Sequence, residues 1–371
     1  MATPPDFDIF LMAPPGLEAA LYEEVRQHRF KAAKQVAAGV MIKGAWKDVW
    51  RANLVLRGCG HVLARIGSFR VQHLAELDRL ARAFPWGNVL RKDVPVRVEA
   101  SCSRSKIYHS GAVVQRIARA IAEEFDAPLR DDAEVIVKAR IEDDLCTLSI
   151  DSSGESLHKR GHKAGVGKAP LRETLAALFL RQCGFTGDEP VVDPMCGSGT
   201  FVIEAAEIAA HLAPGRTRSF AFEKLATFDA AMWDSMKAAA SPRQPTFTFF
   251  GSDRDAGAIR MATENAKRAG VSAFTQFRQQ SVSDLVAPQG PPGLVIVNPP
   301  YGARIGDKKP LFALYGALGK VLKQRFSGWR VGLITADAAL ARATALPFLP
   351  IAPPVLNGGL RVSLYRTPAL P

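Results

Sequence analysis

The chain has 371 residues, 47% of them hydrophobic and 23% charged, with a formal net charge of +12. That length calls for two or three domains, the apolar content excludes a disordered chain, and no apolar run is long enough to span a bilayer. The excess of positive charge points to a polyanionic partner, nucleic acid before a membrane surface. The opening MATPPDFDIFLMAPP has no basic leader region, so a secretory signal is not expected. Cys59, Cys102, Cys146, Cys183 and Cys196 are scattered, without a C-x-x-C pair. No zinc site or disulfide framework is expected from them; they suit reduced thiols in a cytoplasm.

Along the chain, FDIFLMA reads as a strand, followed by a helix from Gly16 to about Arg29. One or two strands near GVMIKG and a helix over AWKDVWRANLVLR complete a first stretch, 6–66. Residues 67–157 alternate again: VPVRVEAS has strand periodicity, GAVVQRIARAIAEEF helical spacing, and AEVIVKARIEDDLCTLSIDSS folds as a hairpin around Glu142-Asp143-Asp144. The polar, irregular segment 154–168 marks a boundary.

From residue 169 the pattern becomes strand–helix repetition. LRETLAALFLRQCGF is a helix ending at a glycine. It is followed by EPVV and an apolar helix after a glycine-rich loop, then PTFTFF with its helix, GLVIV with its helix, and WRVGLITA. This predicts a parallel, doubly wound α/β sheet. The tail PPVLNGGLRVSLYRT, with Asn357-Gly358-Gly359 between apolar arms, predicts an antiparallel hairpin at the sheet edge.

In such a sheet the ligand sits at the carboxyl ends of the strands, and three motifs fall there. In Asp193-Pro194-Met195-Cys196-Gly197-Ser198-Gly199-Thr200 the glycines permit close backbone approach, and the next helix offers unpaired N–H groups. A Walker loop is excluded because no lysine follows Gly199, and Gly161…Gly167-Lys168 has one residue too many and then Ala169. The dinucleotide pattern fails too, because its third glycine is absent. Asp253, where TFTFFGS runs out, suits a ribose diol, with Asp255 assigned to cap the following helix. Asn298-Pro299-Pro300-Tyr301 combines an amide carbonyl, a rigid backbone carbonyl and an aromatic face. That set matches a planar base bearing an exocyclic amine, such as a flipped nucleobase.

Two basic runs stand out. One holds Arg104, Lys106, His109, Arg116 and Arg119 with Tyr108 among them; the other holds His158, Lys159, Arg160, His162, Lys163 and Lys168. Most charge runs are solvated faces. The clustering and the embedded aromatic favour RNA contact by Arg104, Lys106, Tyr108, Lys159, Arg160 and Lys163. The histidines lack metal-ligand spacing, so no metal is expected.

DPMCGSGT and NPPY resemble the cofactor loop and catalytic motif of class I S-adenosylmethionine-dependent methyltransferases that act on exocyclic amines. Together with IDSSGESLHKRGHK, APLRETLAA, RSFAFEK and NPPYGARIG, they resemble the THUMP-domain RNA guanine methyltransferases. Within that family the likeness is to the N-terminal half of the bacterial 23S rRNA enzymes. It covers nearly the whole chain. It implies a ferredoxin-like region at 1–66, a THUMP RNA-binding domain at 67–157 and a Rossmann-like class I catalytic domain at 158–371. It also implies that Asp193, Cys196, Gly197, Gly199 and Thr200 line the methionine end of S-adenosylmethionine and that Thr174 reaches its carboxylate. Asp253 would hold the ribose, and Asn298, Pro299, Pro300 and Tyr301 the base. Where the family often has an acid against the adenine amine, this chain has Ser281; either Ser281 or Asp284 would take that contact.

The expected activity is methylation of the 2-amino group of a guanosine, in ribosomal rather than transfer RNA, by a cytoplasmic enzyme of unassigned oligomeric state. The rivals are a tRNA guanosine enzyme, an adenine-amine DNA methyltransferase and an RNA-binding assembly factor with a vestigial fold.

Overall fold

Alternation in FDIFLM buries Ile9 and Leu11 on one face of β1 (Phe7–Met12) and leaves their neighbours partly exposed. The computed structural model describes residues 6–163, 171–301 and 309–371. Lys168 and the Gly302–Gly306 end of the sequence motif lie outside the described residues. After β1 come α1 (Glu18–Gln27), β2 (Lys34–Val36), β3 (Gly39–Gly44), α2 (Trp46–Val55) and β4 (Val62–Arg70). Then follow α3 (Leu74–Arg82), β5 (Val96–Ser103), α4 (Ser110–Phe125), β6 (Val135–Glu142) and β7 (Leu145–Asp151).

These strands form one sheet in the order β2-β3-β1-β4-β7-β6-β5. All neighbours are antiparallel except β5 and β6. The hairpin expected around Glu142 is β6–β7; Asp143 and Asp144 both take left-handed φ, 51° and 61°, which aspartate tolerates better than most residues. The expected boundary at residue 66 falls inside β4, which pairs with β1 on one side and β7 on the other. A single sheet therefore runs through that position.

The second half contributes α5 (Glu173–Gln182), β8 (Val191–Asp193), α6 (Thr200–Ala209), α7 (Ala230–Ala238), β9 (Phe249–Asp253), α8 (Ala256–Ala269) and β10 (Thr275–Gln279). It ends with β11 (Leu294–Val297), α9 (Lys309–Arg325), β12 (Arg330–Thr335), α10 (Ala338–Ala343), β13 (Val355–Asn357) and β14 (Leu360–Arg366). The sheet order is β10-β9-β8-β11-β12-β14-β13, parallel as far as β12, with β14 antiparallel to its neighbours. Strand order reverses between β8 and β11, so the switch point lies at their carboxyl ends. The predicted β13–β14 hairpin closes through Gly358 and Gly359, both left-handed at φ 56° and 86°, the two-residue turn whose twist suits a hairpin. The all-apolar β11 is buried on both faces, as a central parallel strand requires. Against β11 and β12 sit Tyr315, Leu318, Leu322 and Phe326 of α9 and its end.

The chain divides into two compact units: one takes the N-terminal stretch to Ala13, Tyr22–Leu157 and Arg218–Ala239, the other Pro14–Leu21, His158–Thr217 and Ala240–Pro371. Arg218–Ala239, which the sequence reading placed in the catalytic domain, thus belongs with the first unit, and the reason is aromatic burial. The Phe222 ring stacks on Trp50 at 6.0 Å and meets Trp233 edge-on at 5.1 Å. Phe222 N–H donates to the Ser152 carbonyl, and Ala226 N–H to that of Val89. Among the described residues no helix is long and apolar enough to cross a membrane.

Candidate active site

The glycine-rich segment is the turn from β8 into α6. Gly197 and Gly199 take left-handed φ of 52° and 84°. A Cβ on Gly199 would press on Ala262, Ile203 and Phe277 at 3.1–3.2 Å, whereas one on Gly197 would meet no atom within 4 Å. Gly199 therefore serves packing, and Gly197 leaves an open backbone face. Beneath the loop, a Cβ on Gly251 would lie 2.6 Å from the Phe277 ring and 3.1 Å from Cys196 Sγ, so β9 can approach only as glycine. Gly199 is the N-cap of α6 and has no side chain to cap it, so the first-turn N–H groups keep their donor capacity.

Two carboxylates flank this loop. Asp193, buried at the end of β8, accepts the Met195 N–H at 3.1 Å. Burial, with the Asp253 charge adding to it, pushes its pKa up to about 8. Burial likewise pushes the Cys196 thiol up, so it is a small apolar group here rather than a nucleophile. Asp253 ends β9 and accepts the Gly197 N–H through Oδ2 at 3.1 Å and the Asp255 N–H through Oδ1 at 3.0 Å. A carboxylate has about four lone-pair sites, so Asp253 retains capacity for two hydroxyl donors. The cap of α8 is Asp255, which accepts the Gly257 N–H at 2.7 Å. Ser281 follows β10 directly beside Asp253, where Gln280 N–H donates to the Asp253 carbonyl. Its hydroxyl accepts the Ser283 N–H at 3.4 Å, and its carbonyl that of Asp284.

At the end of β11 comes Asn298. Its Oδ1 is buried and has no hydrogen-bond partner among the described residues, a rarity for a buried acceptor. Pro299 is buried and Pro300 exposed. The Pro300 carbonyl accepts the Tyr315 hydroxyl at 3.4 Å, which also lies 3.2 Å from Thr335 Oγ1. Tyr301 is held by Asn357 Nδ2, which donates to its hydroxyl at 3.3 Å; burial raises the Tyr301 pKa despite that bond. The site thus offers an orphan acceptor, an anchored aromatic ring and a bare glycine loop at one switch point.

Residues 160–347 match the RMKL-like methyltransferase domain family. The chain belongs to that family. Residues 8–63 match the RlmL ferredoxin-like domain. Among curated proteins, the chain is 36% identical over 353 residues to a ribosomal RNA large subunit methyltransferase K/L of Syntrophotalea carbinolica, covering 90% of this chain and 50% of the relative. The chain spans about half the length of the curated relatives it matches. Among solved structures it resembles SMU.472, a putative methyltransferase complexed with SAH, at 27% identity and TM-score 0.89 over the full length of both chains. It also resembles a predicted N6-adenine-specific DNA methylase from Listeria monocytogenes at 29% identity and TM-score 0.87, covering 98% of this chain and 96% of that one.

Within the methyltransferase domain, the second basic run is not the surface patch its charges suggested. Arg160 is only 2% exposed, and its guanidinium meets Glu204, 1% exposed, at 3.3 Å. Lys163 donates to Thr200 Oγ1 and pairs with Glu173, each at 3.0 Å. His162 is buried beside Glu207, and burial lowers its pKa; Arg216 also pairs with Glu207, at 2.5 Å. Only Lys159 of the candidate RNA contacts in this run is exposed. Two carboxylates on the otherwise apolar α6 draw these cations inward, since a buried charge needs a partner. Glu204, Glu207 and Glu173 escaped the sequence reading, although two acids three positions apart in TFVIEAAEIA signalled them. Thr174, one residue into the same α5 turn, is buried.

The first run keeps its exposure. Tyr108 is 84% exposed. Lys106 Nζ donates to Gln72 Oε1 at 2.8 Å. Arg104 is largely offset by Glu142 at 2.7 Å and Asp143 at 3.1 Å. His109 caps α4 by accepting the Ala112 N–H, while Arg116 and Arg119 pair with Asp78 and Glu123.

Proposed function

We propose that the chain is a cytoplasmic S-adenosylmethionine-dependent RNA methyltransferase that acts on the 2-amino group of a guanosine in 23S rRNA. The observation that carries the reading is the buried Asn298 Oδ1 at the end of β11, which has no partner among the described residues. A protein keeps such an acceptor only at a cost, and an exocyclic amine is the donor that relieves it.

The residues fit the cofactor. The open face at Gly197 and the capless start of α6 accommodate the methionine end, with Asp193, Cys196, Gly199, Thr200 and Thr174 around it. Asp253 has lone pairs for the ribose diol, and Ser281 or Asp284 would take the adenine amine. Bound S-adenosylmethionine supplies a methyl group made electrophilic by its sulfonium. The chain's part is positioning and electrostatics. Asn298 Oδ1 accepts one amine N–H and the Pro299 carbonyl the other, which orients the nitrogen lone pair and stabilises its developing positive charge. The Tyr301 ring, pinned by Asn357, gives the base a stacking face.

RNA is preferred over DNA because the K/L relative is named for ribosomal RNA and the basic, aromatic Arg104–Tyr108 stretch suits RNA. The proposed domains are a ferredoxin-like region at 1–66, a THUMP region from 67 to 157 that continues the same sheet through β4, and the catalytic domain at 158–371, with Arg218–Ala239 reassigned. The Listeria neighbour's name keeps DNA adenine as a second reading. Labelled S-adenosylmethionine with total RNA and genomic DNA, followed by nucleoside analysis, tests both. N2-methylguanosine in 23S rRNA is the expected product. Label in DNA adenine would replace the RNA reading, and no transfer to either polymer would overturn it.

A further inference from the structure

Lys163 is an ammonium in a nearly closed setting. Its side chain is 12% exposed, and beside it is Glu173 at 7%. Three acceptors surround Nζ: Thr200 Oγ1 at 3.0 Å, Glu173 Oε1 at 3.0 Å and the Leu171 carbonyl at 3.4 Å. An ammonium has three protons and no acceptor, so these contacts use all of it. The Thr200 oxygen must therefore accept from Lys163, and the Thr200 proton is left to donate elsewhere.

Thr200 is the first residue of α6, a ten-residue helix whose N-cap, Gly199, offers no side chain. Behind the loop, Asn265 Nδ2 donates to the Ser198 carbonyl at 3.0 Å, fixing the turn. The first-turn N–H groups, together with a hydroxyl whose proton Lys163 leaves free to donate, make an arrangement suited to an anion.

We propose that Lys163 is a positioning residue for the carboxylate end of the cofactor. With its own charge offset by Glu173, it sets the Thr200 hydroxyl as a donor at the start of α6, so the site favours ligands that carry the amino-acid carboxylate. This rests on the S-adenosylmethionine reading. It moves Lys163 from RNA contact to cofactor discrimination.

The test compares two ligands by calorimetry on the full chain: S-adenosylhomocysteine, which carries the carboxylate, and 5′-methylthioadenosine, which does not. Lys163→Met should weaken S-adenosylhomocysteine about tenfold, the loss of a charge-assisted bond, and leave methylthioadenosine affinity unchanged. Thr200→Val should do the same, and Thr200→Ser should restore the preference, so the outcome stands even if Lys163→Met fails to fold. Equal weakening of both ligands would reduce Lys163 to a structural pillar and overturn the proposal, as would unchanged binding of both. Wild-type protein that binds neither ligand would overturn the cofactor reading itself, and this proposal with it.

Discussion

Asn298→Ala should damage the reaction and stabilise the fold together, and the size of each effect follows from one atom. Asn298 Oδ1 is buried without a partner among the described residues, and an unsatisfied buried acceptor costs about 1–3 kcal/mol. Truncation removes that penalty. The packing it loses offsets part of the gain, leaving a net stabilisation of about 1 kcal/mol. For a unit of this size that is roughly a 2–4 °C rise in Tm. Catalysis moves the other way. Losing a preorganised group aimed at developing charge costs on the order of 10²–10³ in rate, while affinity for S-adenosylhomocysteine should persist. Calorimetric melting without ligand, together with single-turnover methyl transfer, measures both. A variant that melts several degrees lower would show that Asn298 holds the fold rather than awaiting a donor. Transfer within tenfold of wild type would show that it does not orient the amine.

Arg160→Met removes the guanidinium beside the buried Glu204 carboxylate and should cost about 3–5 kcal/mol; an unchanged melting temperature with weakened RNA binding would return Arg160 to the surface role its neighbours in sequence suggested. Asp193 gives a pH signature. Its folded pKa is raised to about 8 by burial and then by Asp253, so between the ordinary aspartate range and pH 8 the folded state binds more protons than the unfolded state. Wild-type stability should therefore fall as pH rises through that window, and the stability advantage of Asp193→Asn should widen from pH 4 to pH 8; a difference constant across that range would contradict the buried, protonated carboxyl.

The parts of the molecule legible in the sequence are those whose cause is local. An all-apolar run stopped by two prolines identified β11 and delivered Asn298 to the switch point. Asn-Gly-Gly specified the β13–β14 turn, and an aspartate before AGAIRM identified the cap of α8. The strand β10 and the helices α7 and α10 are not separately legible, because they are short or weakly patterned; α3, whose apolar residues recur at helical spacing, and β4 also lie outside the expected elements. In β4 the burial loses its alternation after Ala64, and long-range pairing with β1 and β7 supplies what periodicity does not. The same holds for RSFAFEK. Nothing near it in sequence shows that Phe222 needs Trp50.

The basic run at 158–163 shows why charge counts alone mislead. A cation's location depends on where its anion is, and the anions here are Glu173, Glu204 and Glu207, distant in sequence and hidden on helices that otherwise read as core. A lysine or arginine facing water contributes to attraction for a polyanion; one facing a buried carboxylate is neutralised, and what it contributes instead is orientation. An acid inside a strongly apolar helix is therefore the more informative signal, because it cannot be buried alone and names the kind of partner it requires. By that criterion Lys163 and Arg160 are claimed by the catalytic unit before any RNA arrives. The electrostatic case for RNA then rests on cations that keep their exposure, Lys106 beside Tyr108 among them, and less on Arg104, whose charge Glu142 and Asp143 already offset.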